Sequence, residues 1–493
     1  MTSSSRIHAV PAVDAGHRAG RRVFLRQAGA LSALAGAGTP LALGLMAAGE
    51  SAAQTAPDYR AIVCVFLFGG NDSFNMVLPT DSASFAAYSA TRNQAPDSIA
   101  LLAPGTAAVP GAMAGSPARL GGVLPIAPVD AQGRSFALHP LMGRLVPLFD
   151  TDRRLAILPN IGPLVVPTTK AQYPQRNHPR PASLFSHNDQ QNTWQALGPE
   201  GTTRGWGGRI GDRLAAGNTR AAFTAISASG NAVFLAGDTV RQYQLGTNGA
   251  TRMAADTAGR TFGSAEVTAA LERIVSRSRG SHVLEADLAA VSQRAIDAEM
   301  QLRTTLAPAG QAPFGTPVSG TYNAGNDPLL RYTSPINGTV TANNLAQQLQ
   351  VVARMIDAGL RGATGVRRQV FFVSMGGFDN HDLQNRNHSD LMARLAHALG
   401  YFDGVLGGLG AQGNVTTFTA SDFGRTFTSN GDGTDHGWGS HHFVMGGAVR
   451  GGNLYGRFPT LATKNAGNNN FDGSPDQLGN GSLLPTTSVD QLG

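Results

Sequence analysis

Continuous apolar runs that end in Gly, Asn or Asp recur along the chain. They cover residues 61–72, 154–162, 222–230, 369–381 and 414–426. None of these runs alternates apolar with polar positions, so each is predicted to be a strand that is covered on both faces.

Amphipathic patterns lie between the apolar runs. Residues 341–360 place leucine, valine and isoleucine at steps of four and three, which is typical of a helix, and Asn343 or Thr341 can cap its start. Two further helices are predicted over 285–306 and 389–402. Strands that alternate with helices predict an α/β fold, with a doubly wound, mostly parallel sheet flanked by helices.

Candidate metal ligands follow the predicted strands. In a parallel sheet the ligand crevice lies beyond the carboxyl ends of the strands. Residues 419–443 read as a glycine-rich loop that adds acids and histidines to this edge, with His441 among them. Crowded carboxylates repel one another without a cation, so the set needs paired protons or a divalent metal, and we predict the metal, namely Zn, Mn or Ca. Each loop could also be an ordinary Asp/Gly turn. The predicted ligands are Asp72, Asp379, His381, Asp422, Asp435 and His436.

The N-terminal 53 residues have the features of an export signal. Arg21 and Arg22 stand directly before Val-Phe-Leu-Arg, and a weakly apolar Ala/Gly-rich run follows, too short for a good membrane span. We expect a twin-arginine signal peptide cleaved after Ala53, although a disordered basic tail is the alternative. Residues 54–493 would then form one domain without a transmembrane anchor. The twin-arginine machinery would export it to the periplasm or the medium.

Composition and charge narrow the function classes. The chain has 493 residues, 42% hydrophobic and 14% charged, which suits a large folded core. The signal holds five arginines and two acids, so its removal lowers the formal net charge from +6 to +3. The remainder has no Lys/Arg cluster with interleaved aromatics, and we expect no nucleic-acid partner. Cys64 is the one cysteine, which forbids an intramolecular disulfide.

Several short motifs keep the order of a known family. They include "FLFGGNDSFNMVLP", "SHNDQQNTW", "GGFDNH", "SDFGRT" and "GTDHGWGSHHFVMGGAVRGG". From about residue 60 to the end, the chain resembles the bacterial family catalogued as domain of unknown function 1501. That family is assigned to the alkaline-phosphatase and sulfatase superfamily. The resemblance therefore implies an alkaline-phosphatase-like α/β core and a metal-centred hydrolytic site.

The resemblance also implies roles for single residues. Asp72 is similar to the first metal-bridging aspartate of the superfamily, and Asp379 with His381 to its Asp-and-His metal pair. Asp422 is similar to the aspartate of an Asp-His pair, and His436 to a late histidine ligand. Phe423 stands where the phosphatases have the histidine of that Asp-His pair. This departure favours one metal, or a pair built differently with Asp435 or His441.

The resemblance further implies a nucleophile near a helix N-terminus beside the metal. Ser186 is the first candidate, with Ser183 and Ser73 behind it, and a role of Ser186 as a helix N-cap is the alternative. We expect Arg425 or His442 to hold the anionic group of the substrate. As an alternative, Arg425 ties its loop to a carboxylate.

Two hypotheses of different class follow. In the first, the protein is an exported metal-dependent hydrolase of phosphate or sulfate esters, acting on a small anionic substrate. The metal would polarise the ester while Ser186 or a metal-bound water attacks. In the second, it is a noncatalytic exported binding or surface-associated protein that keeps a structural metal site. The chain stops at "TTSVDQLG", where family members usually continue, so a truncated C-terminus is one expectation.

Overall fold

The fold is built around one long mixed sheet. The computed structural model describes residues 58–250, 252, 256, 258–277 and 282–492, so the predicted signal peptide lies outside the described residues. The strands are β1 (Arg60–Leu67), β2 (Val77–Pro79), β3 (Leu124–Ile126), β4 (Phe136–Leu138), β5 (Leu155–Gly162), β6 (Ala225–Ser227), β7 (Tyr243–Gln244), β8 (Arg331–Thr333), β9 (Val340–Ala342), β10 (Arg368–Met375), β11 (Val415–Ser421), β12 (Ser440–Met445) and β13 (Thr487–Ser488).

Helices connect most of these strands. The α-helices are α1 (Ser82–Arg92), α2 (Pro117–Leu120), α3 (Val146–Asp150), α4 (His187–Ala196), α5 (Trp206–Leu214), α6 (Ala265–Val275), α7 (Val283–Thr305), α8 (Asn344–Leu360) and α9 (Gln384–Gly408). Short 3-10 helices span Ser73–Asn75, Pro140–Met142, Ala215–Gly217, Ala221–Phe223, Val233–Leu235, Ala324–Asn326, Pro328–Leu330, Gln412–Asn414 and Val489–Gln491. None of the described helices is long and apolar enough to cross a membrane.

The main sheet has eight strands in the order β13-β5-β12-β11-β1-β10-β6-β7. Every pairing is parallel except the two made by β12, which runs against both of its neighbours. The small strands form separate sheets of three (β2-β4-β3) and two (β8-β9). The predicted α/β class with a mostly parallel sheet is therefore confirmed.

Both faces of the sheet are covered, as the unbroken apolar runs predict. On β1, Val63, Val65 and Leu67 join a core that includes residues of α8 and α9. Cys64 and Phe66 point the other way, into a second core that contains Trp194 of α4. A strand whose two faces are both buried has no polar face to alternate, which is why its sequence reads as a continuous apolar run.

The three predicted helices are present with shifted ends. Asn343 caps α8, because its side-chain oxygen accepts from the backbone N–H of Leu345 at 3.1 Å. Helix α7 begins two residues before the predicted range 285–306 and ends one residue short of it, whereas α9 extends beyond the predicted range 389–402 at both ends. The second half of α9 runs on through Gly400, Gly404 and Gly407, where sequence reasoning expects a helix to stop.

The prediction of a glycine-rich loop over residues 419–443 is wrong at its C-terminal end. Residues 440–445 are strand β12, antiparallel to β11 and β5, so His441 and His442 lie in the sheet rather than on a loop. Both side chains are completely buried. The two adjacent histidines interrupt the apolar run in the sequence of β12, and strand prediction depends on such a run.

The buried histidines give the fold a testable pH dependence. Burial lowers the pKa of His388 and His397 to about 4, and that of His441 and His442 to about 3. The native state keeps these rings neutral, whereas the unfolded chain takes up protons below a pH of about 6.5. The contribution to stability is therefore complete above that pH, and it is lost as the pH falls towards 4.

We predict that His442→Gln flattens the pH dependence of stability. Removing one such histidine should lower the slope of the unfolding free energy by about 1.4 kcal/mol per pH unit between about pH 6 and 4. Denaturant unfolding at a series of pH values measures this slope. The exposed His282 provides the control, since His282→Gln should leave the slope as it is. Equal slopes for wild type and His442→Gln would contradict the prediction.

Candidate metal centre

Three parallel strands bring the candidate residues to one edge of the sheet. In the register of β1 with β10 and β11, Leu67 pairs with both Met375 and Ser421. The segments that follow these strands therefore start side by side. Asp379 comes four residues after β10, and Asp422 comes directly after β11.

The backbone after β1 approaches the other two segments closely. The Gly69 N–H donates to Asp422 Oδ2 at 3.1 Å. A Cβ on Gly69, whose φ is +115°, would stand 2.4 Å from the backbone nitrogen of Asp379. Only glycine fits both this conformation and this distance, so Gly69 allows the two aspartate segments to meet.

A group that could hold a metal lies at this edge. Within the described residues, it consists of His187, Asp379 and His436, whose ligand atoms lie within 4.8 Å of one another. His381 adjoins the group, with its Nε2 3.0 Å from both Asp379 Oδ1 and His436 Nε2. The Nε2 atoms of His436 and His187 lie 3.2 and 3.4 Å from the Asp379 carboxylate. Two ligands of one tetrahedral zinc stand about 3.3 Å apart, so these spacings fit such an ion.

Hydrogen bonds at Nδ1 fix the tautomer of two of the imidazoles. His187 Nδ1 lies 2.7 Å from Asp422 Oδ2, and His436 Nδ1 lies 2.7 Å from the carbonyl oxygen of Phe185. Carboxylate and carbonyl oxygens only accept, so Nδ1 carries the proton in both rings. His381 Nδ1 lies 3.2 Å from Asp435 Oδ1, but its Nε2 also lies 3.0 Å from Asp379 Oδ1, so either nitrogen can carry its proton. In neutral His187 and His436 the lone pair is on Nε2, and the Nε2 atoms of all three rings face Asp379, as in carboxylate–histidine–metal sites.

Arg425 holds Asp379 from inside the protein. Its side chain is completely buried, and Nη1 donates to Asp379 Oδ1 at 2.8 Å. Its other acceptors are the Thr434 hydroxyl and the carbonyl oxygens of Thr434 and Gly69. Burial alone would raise the pKa of Asp379, but the hydrogen bond and charge of Arg425 lower it below the usual value. Asp379 therefore stays ionised.

The charges of the site favour a divalent cation. Among the described residues, Arg425 is the one guanidinium paired with the carboxylates of Asp379, Asp422 and Asp435, which leaves about two negative charges when the histidines are neutral. The hydrogen bond to Asp422 raises the pKa of His187, whereas burial lowers the pKa of His436. A proton on His187 would offset part of the excess, and a divalent ion would offset all of it.

The loop from β11 to β12 is braced like a hairpin. Arg425 and His436 form an antiparallel bridge, and Thr426 N–H donates to the Asp435 carbonyl oxygen at 2.9 Å. Thr434 N–H donates to the carbonyl oxygen of Asn380 at 3.0 Å, which ties this loop to the segment after β10. His436 and Asp435 are thereby fixed beside Asp379 and His381.

Phe423 lies against the imidazoles. Its ring centroid is 4.9 Å from that of His187 and 4.6 Å from that of His436, and its edge packs over Gly70. His187, from α4, bonds Asp422 on this side of the site. Phe423 therefore supplies no ligand, and the imidazole beside Asp422 comes from another part of the chain.

The structure does not bring Asp72 into this group. Its carboxylate forms a buried double contact with Arg92, at 2.6 and 3.0 Å, and accepts from Gln384. Burial would raise the pKa of Asp72, but the charge of Arg92 outweighs it and the pKa lies below its usual value. Asp72 therefore already has a cationic partner inside the protein.

The predicted catalytic residues are scattered. Ser186 stands at the N-cap position of α4, next to His187, and its side chain makes no capping hydrogen bond. His442 lies in the core, 4.7 Å from the Trp194 ring, with its Nε2 unpartnered. A buried neutral ring cannot bind an anion from solvent, so His442 is not part of this site. His441 is also buried in the core, outside the metal group, and its Nδ1 accepts from the backbone N–H of Asn160.

Sequence reasoning missed His187 and Gln191. His187 belongs to the metal group, and Gln191 Nε2 donates to Asp422 Oδ2 at 2.9 Å. Both are on α4, in the motif "SHNDQQNTW", which follows a long loop after β5 rather than a strand. The available signal was the position of His187 directly after the candidate nucleophile Ser186.

The fold and the group together define an α/β protein with a candidate metal centre at the carboxyl edge of its sheet. The chain belongs to the family described as "Protein of unknown function (DUF1501)", whose model matches residues 59–471. No curated protein matches the sequence. Twin-arginine export and membership of the phosphatase superfamily stay predictions.

One solved structure with detectable similarity is a crystal structure of a variant of the alkaline phosphatase PafA. It is 14% identical, covers 75% of this chain and 64% of that chain, and has a TM-score of 0.22. The chain thus spans less than two thirds of the length of that phosphatase. A similarity at this level carries no argument about fold or activity.

We predict that Asp422→Asn weakens metal binding without removing a member of the metal group. An amide holds the Nδ1–H of His187 less firmly than a carboxylate does, and loss of such an outer partner typically lowers metal affinity by about 10- to 100-fold. Competition with a chelating dye measures the affinity. The exposed Asp382 is the matched control, because Asp382→Asn should bind like wild type. Unchanged affinity in Asp422→Asn would contradict the role of this pair.

Proposed function

We propose that the protein is an exported, metal-dependent hydrolase of phosphate or sulfate esters. The observation that carries this proposal is the convergence of three Nε2 atoms on Asp379, each on a ring whose Nδ1 faces an acceptor. Such an outer layer of hydrogen bonds is typical of rings that ligate a metal. His187, Asp379 and His436 would hold the ion, with His381 beside them.

A divalent metal bound there would supply Lewis-acid stabilisation of negative charge on the ester oxygens. Nitrogen-rich donors favour Zn over Ca, with Mn between them. The residues of the chain set the geometry around it. Asp422 and the Phe185 carbonyl oxygen orient two rings, and Arg425 keeps Asp379 ionised and in place.

Helix α4 would supply the groups that receive the substrate. It begins at His187, so the unpartnered N–H groups of its first turn lie beside the cluster and suit an anionic ester. Ser186 precedes His187 directly and is the proposed nucleophile. In this scheme Arg425 positions Asp379, since its donors are already engaged within the protein.

The second candidate function is a noncatalytic exported binding protein with a structural metal. Arg425 favours it, because a completely buried guanidinium with an acceptor at each nitrogen is not free to hold a substrate. The N-cap position of Ser186 also suits a purely structural helix start. Metal content is common to both candidates, so turnover decides between them.

Elemental analysis joined to an ester panel tests the proposal. We expect the purified mature protein, 54–493, to carry metal at a whole-number ratio and to hydrolyse at least one phosphate or sulfate ester. Asp379→Ala and His436→Ala should lose both metal and turnover, while Asp382→Ala should lose neither. Ser186→Ala should retain metal and lose about 10³-fold or more in kcat.

Other outcomes separate the candidates. Turnover retained in Asp379→Ala would contradict the hydrolase proposal. Stoichiometric metal without turnover on the whole panel would favour the noncatalytic protein. Full kcat in Ser186→Ala with turnover lost in Asp379→Ala would remove Ser186 as the nucleophile and leave the metal-dependent reaction in place.

Export is tested separately. We infer that Arg21 and Arg22 direct twin-arginine transport, because they stand directly before Val-Phe-Leu-Arg and an Ala/Gly-rich run. Replacing both with lysine should leave the uncleaved precursor in the cytoplasm, whereas Arg18→Lys should not. Cell fractionation with mass measurement of the product reads out both location and cleavage. Normal export of the double-lysine variant would contradict this route.

A further inference from the structure

Helix α7 carries an apolar stripe that the rest of the described protein covers at one end only. Ala298 and Leu302, in its second half, are buried in the main core. Leu284, Leu288 and Val291 continue the same face at helical spacing and are 72%, 66% and 51% exposed. The first half of the helix therefore extends its core-facing stripe beyond the core.

The neighbouring helix does not account for this stripe. Helix α6 contacts α7. Around the axis of α7, Ala289, Ser292 and Ile296 lie about 100° away from the stripe, and these residues are buried or half-buried. The first half of α7 is thus packed on one side, while its apolar stripe faces solvent.

The stripe has the pattern of one strand of a coiled coil. Leu284 and Val291 take the d positions of a heptad, and Leu288 and Ala295 take the a positions. Asp287 and Arg294 fall on the two g positions along one flank. Both are exposed, and neither forms an ion pair within 4.0 Å with another of the described residues.

An antiparallel pair of these helices is self-complementary. When Leu288 of one copy packs against Val291 of a second copy, Leu284 meets Ala295. In that register the g positions of the two helices lie opposite each other, so Asp287 of each copy faces Arg294 of the other. A two-fold axis makes this ion pair twice, as a closed, isologous interface requires.

We propose that the first half of α7 is the interface of a symmetric antiparallel dimer of this protein. A membrane surface fits less well, because the exposed segment has three acids, Glu285, Asp287 and Asp297, against one base, Arg294. A contact between two short helices is smaller than a standard interface, so the dimer is weak, with a Kd on the order of 10 µM. The proposal is independent of the metal centre.

Sedimentation velocity over a concentration series tests the dimer in the purified protein. We expect wild type to shift from monomer to dimer as its concentration passes through about 10 µM. Leu288→Arg buries a charge in the centre of the interface and should stay monomeric throughout. Val129, an exposed valine outside α7, gives the matched control, because Val129→Arg should associate like wild type.

Charge reversal tests the register. Asp287→Arg or Arg294→Asp alone places like charges opposite each other twice and should weaken association about tenfold. The two changes together restore opposite charges and should return the affinity to near the wild-type value. Asp297, on the other side of the helix, is the control, since Asp297→Arg should have little effect.

Several results would overturn the proposal. A wild-type protein that stays monomeric at all concentrations would do so, as would a dimer that Leu288→Arg leaves intact while circular dichroism shows normal folding. Failure of the double reversal to restore association would exclude the antiparallel register. Binding of monomer to vesicles of anionic and neutral lipid, lost in Leu288→Arg, would assign the stripe to a membrane instead.

Discussion

The candidate site depends on three parallel strands that end at the same level. Leu67 is in register with both Met375 and Ser421, so the chain leaves β1, β10 and β11 at adjacent points. The segments that follow must share a narrow space, and Gly69 is the residue that lets them do so. Asp379 and Asp422 are close because the backbone path confines both segments to this space.

The crowded carboxylates repel one another, and the surrounding residues act on this negative charge from two sides. Arg425 is buried beneath Asp379 and compensates one carboxylate from the protein side. The remaining charge faces outward, where three imidazoles point their Nε2 atoms at the same carboxylate. Without a cation, this arrangement would destabilise the folded protein, since lone pairs and negative charges repel one another.

The strand ends were the predictable part of the site. Runs such as "AIVCVFLF" identify strands that are buried on both faces, and the acids that follow them belong to the carboxyl edge. His187 could not be found in this way, because a long loop separates α4 from β5 and its contact with Asp422 joins residues 235 apart in sequence. β12 was missed because its two histidines are buried, and burial of a polar ring is a property of the tertiary structure.

The reversed direction of β12 has a consequence for how the site would take up an ion. A parallel β12 would require the connecting segment to cross to the opposite edge of the sheet, whereas the antiparallel strand begins at the edge where β11 ended. The loop between them is held at both ends and cross-bonded along its length. Its conformational entropy is therefore lost when the protein folds, not when the ion arrives. Selectivity at such a rigid site reflects the size and donor preference of the ion rather than the closing of a loop.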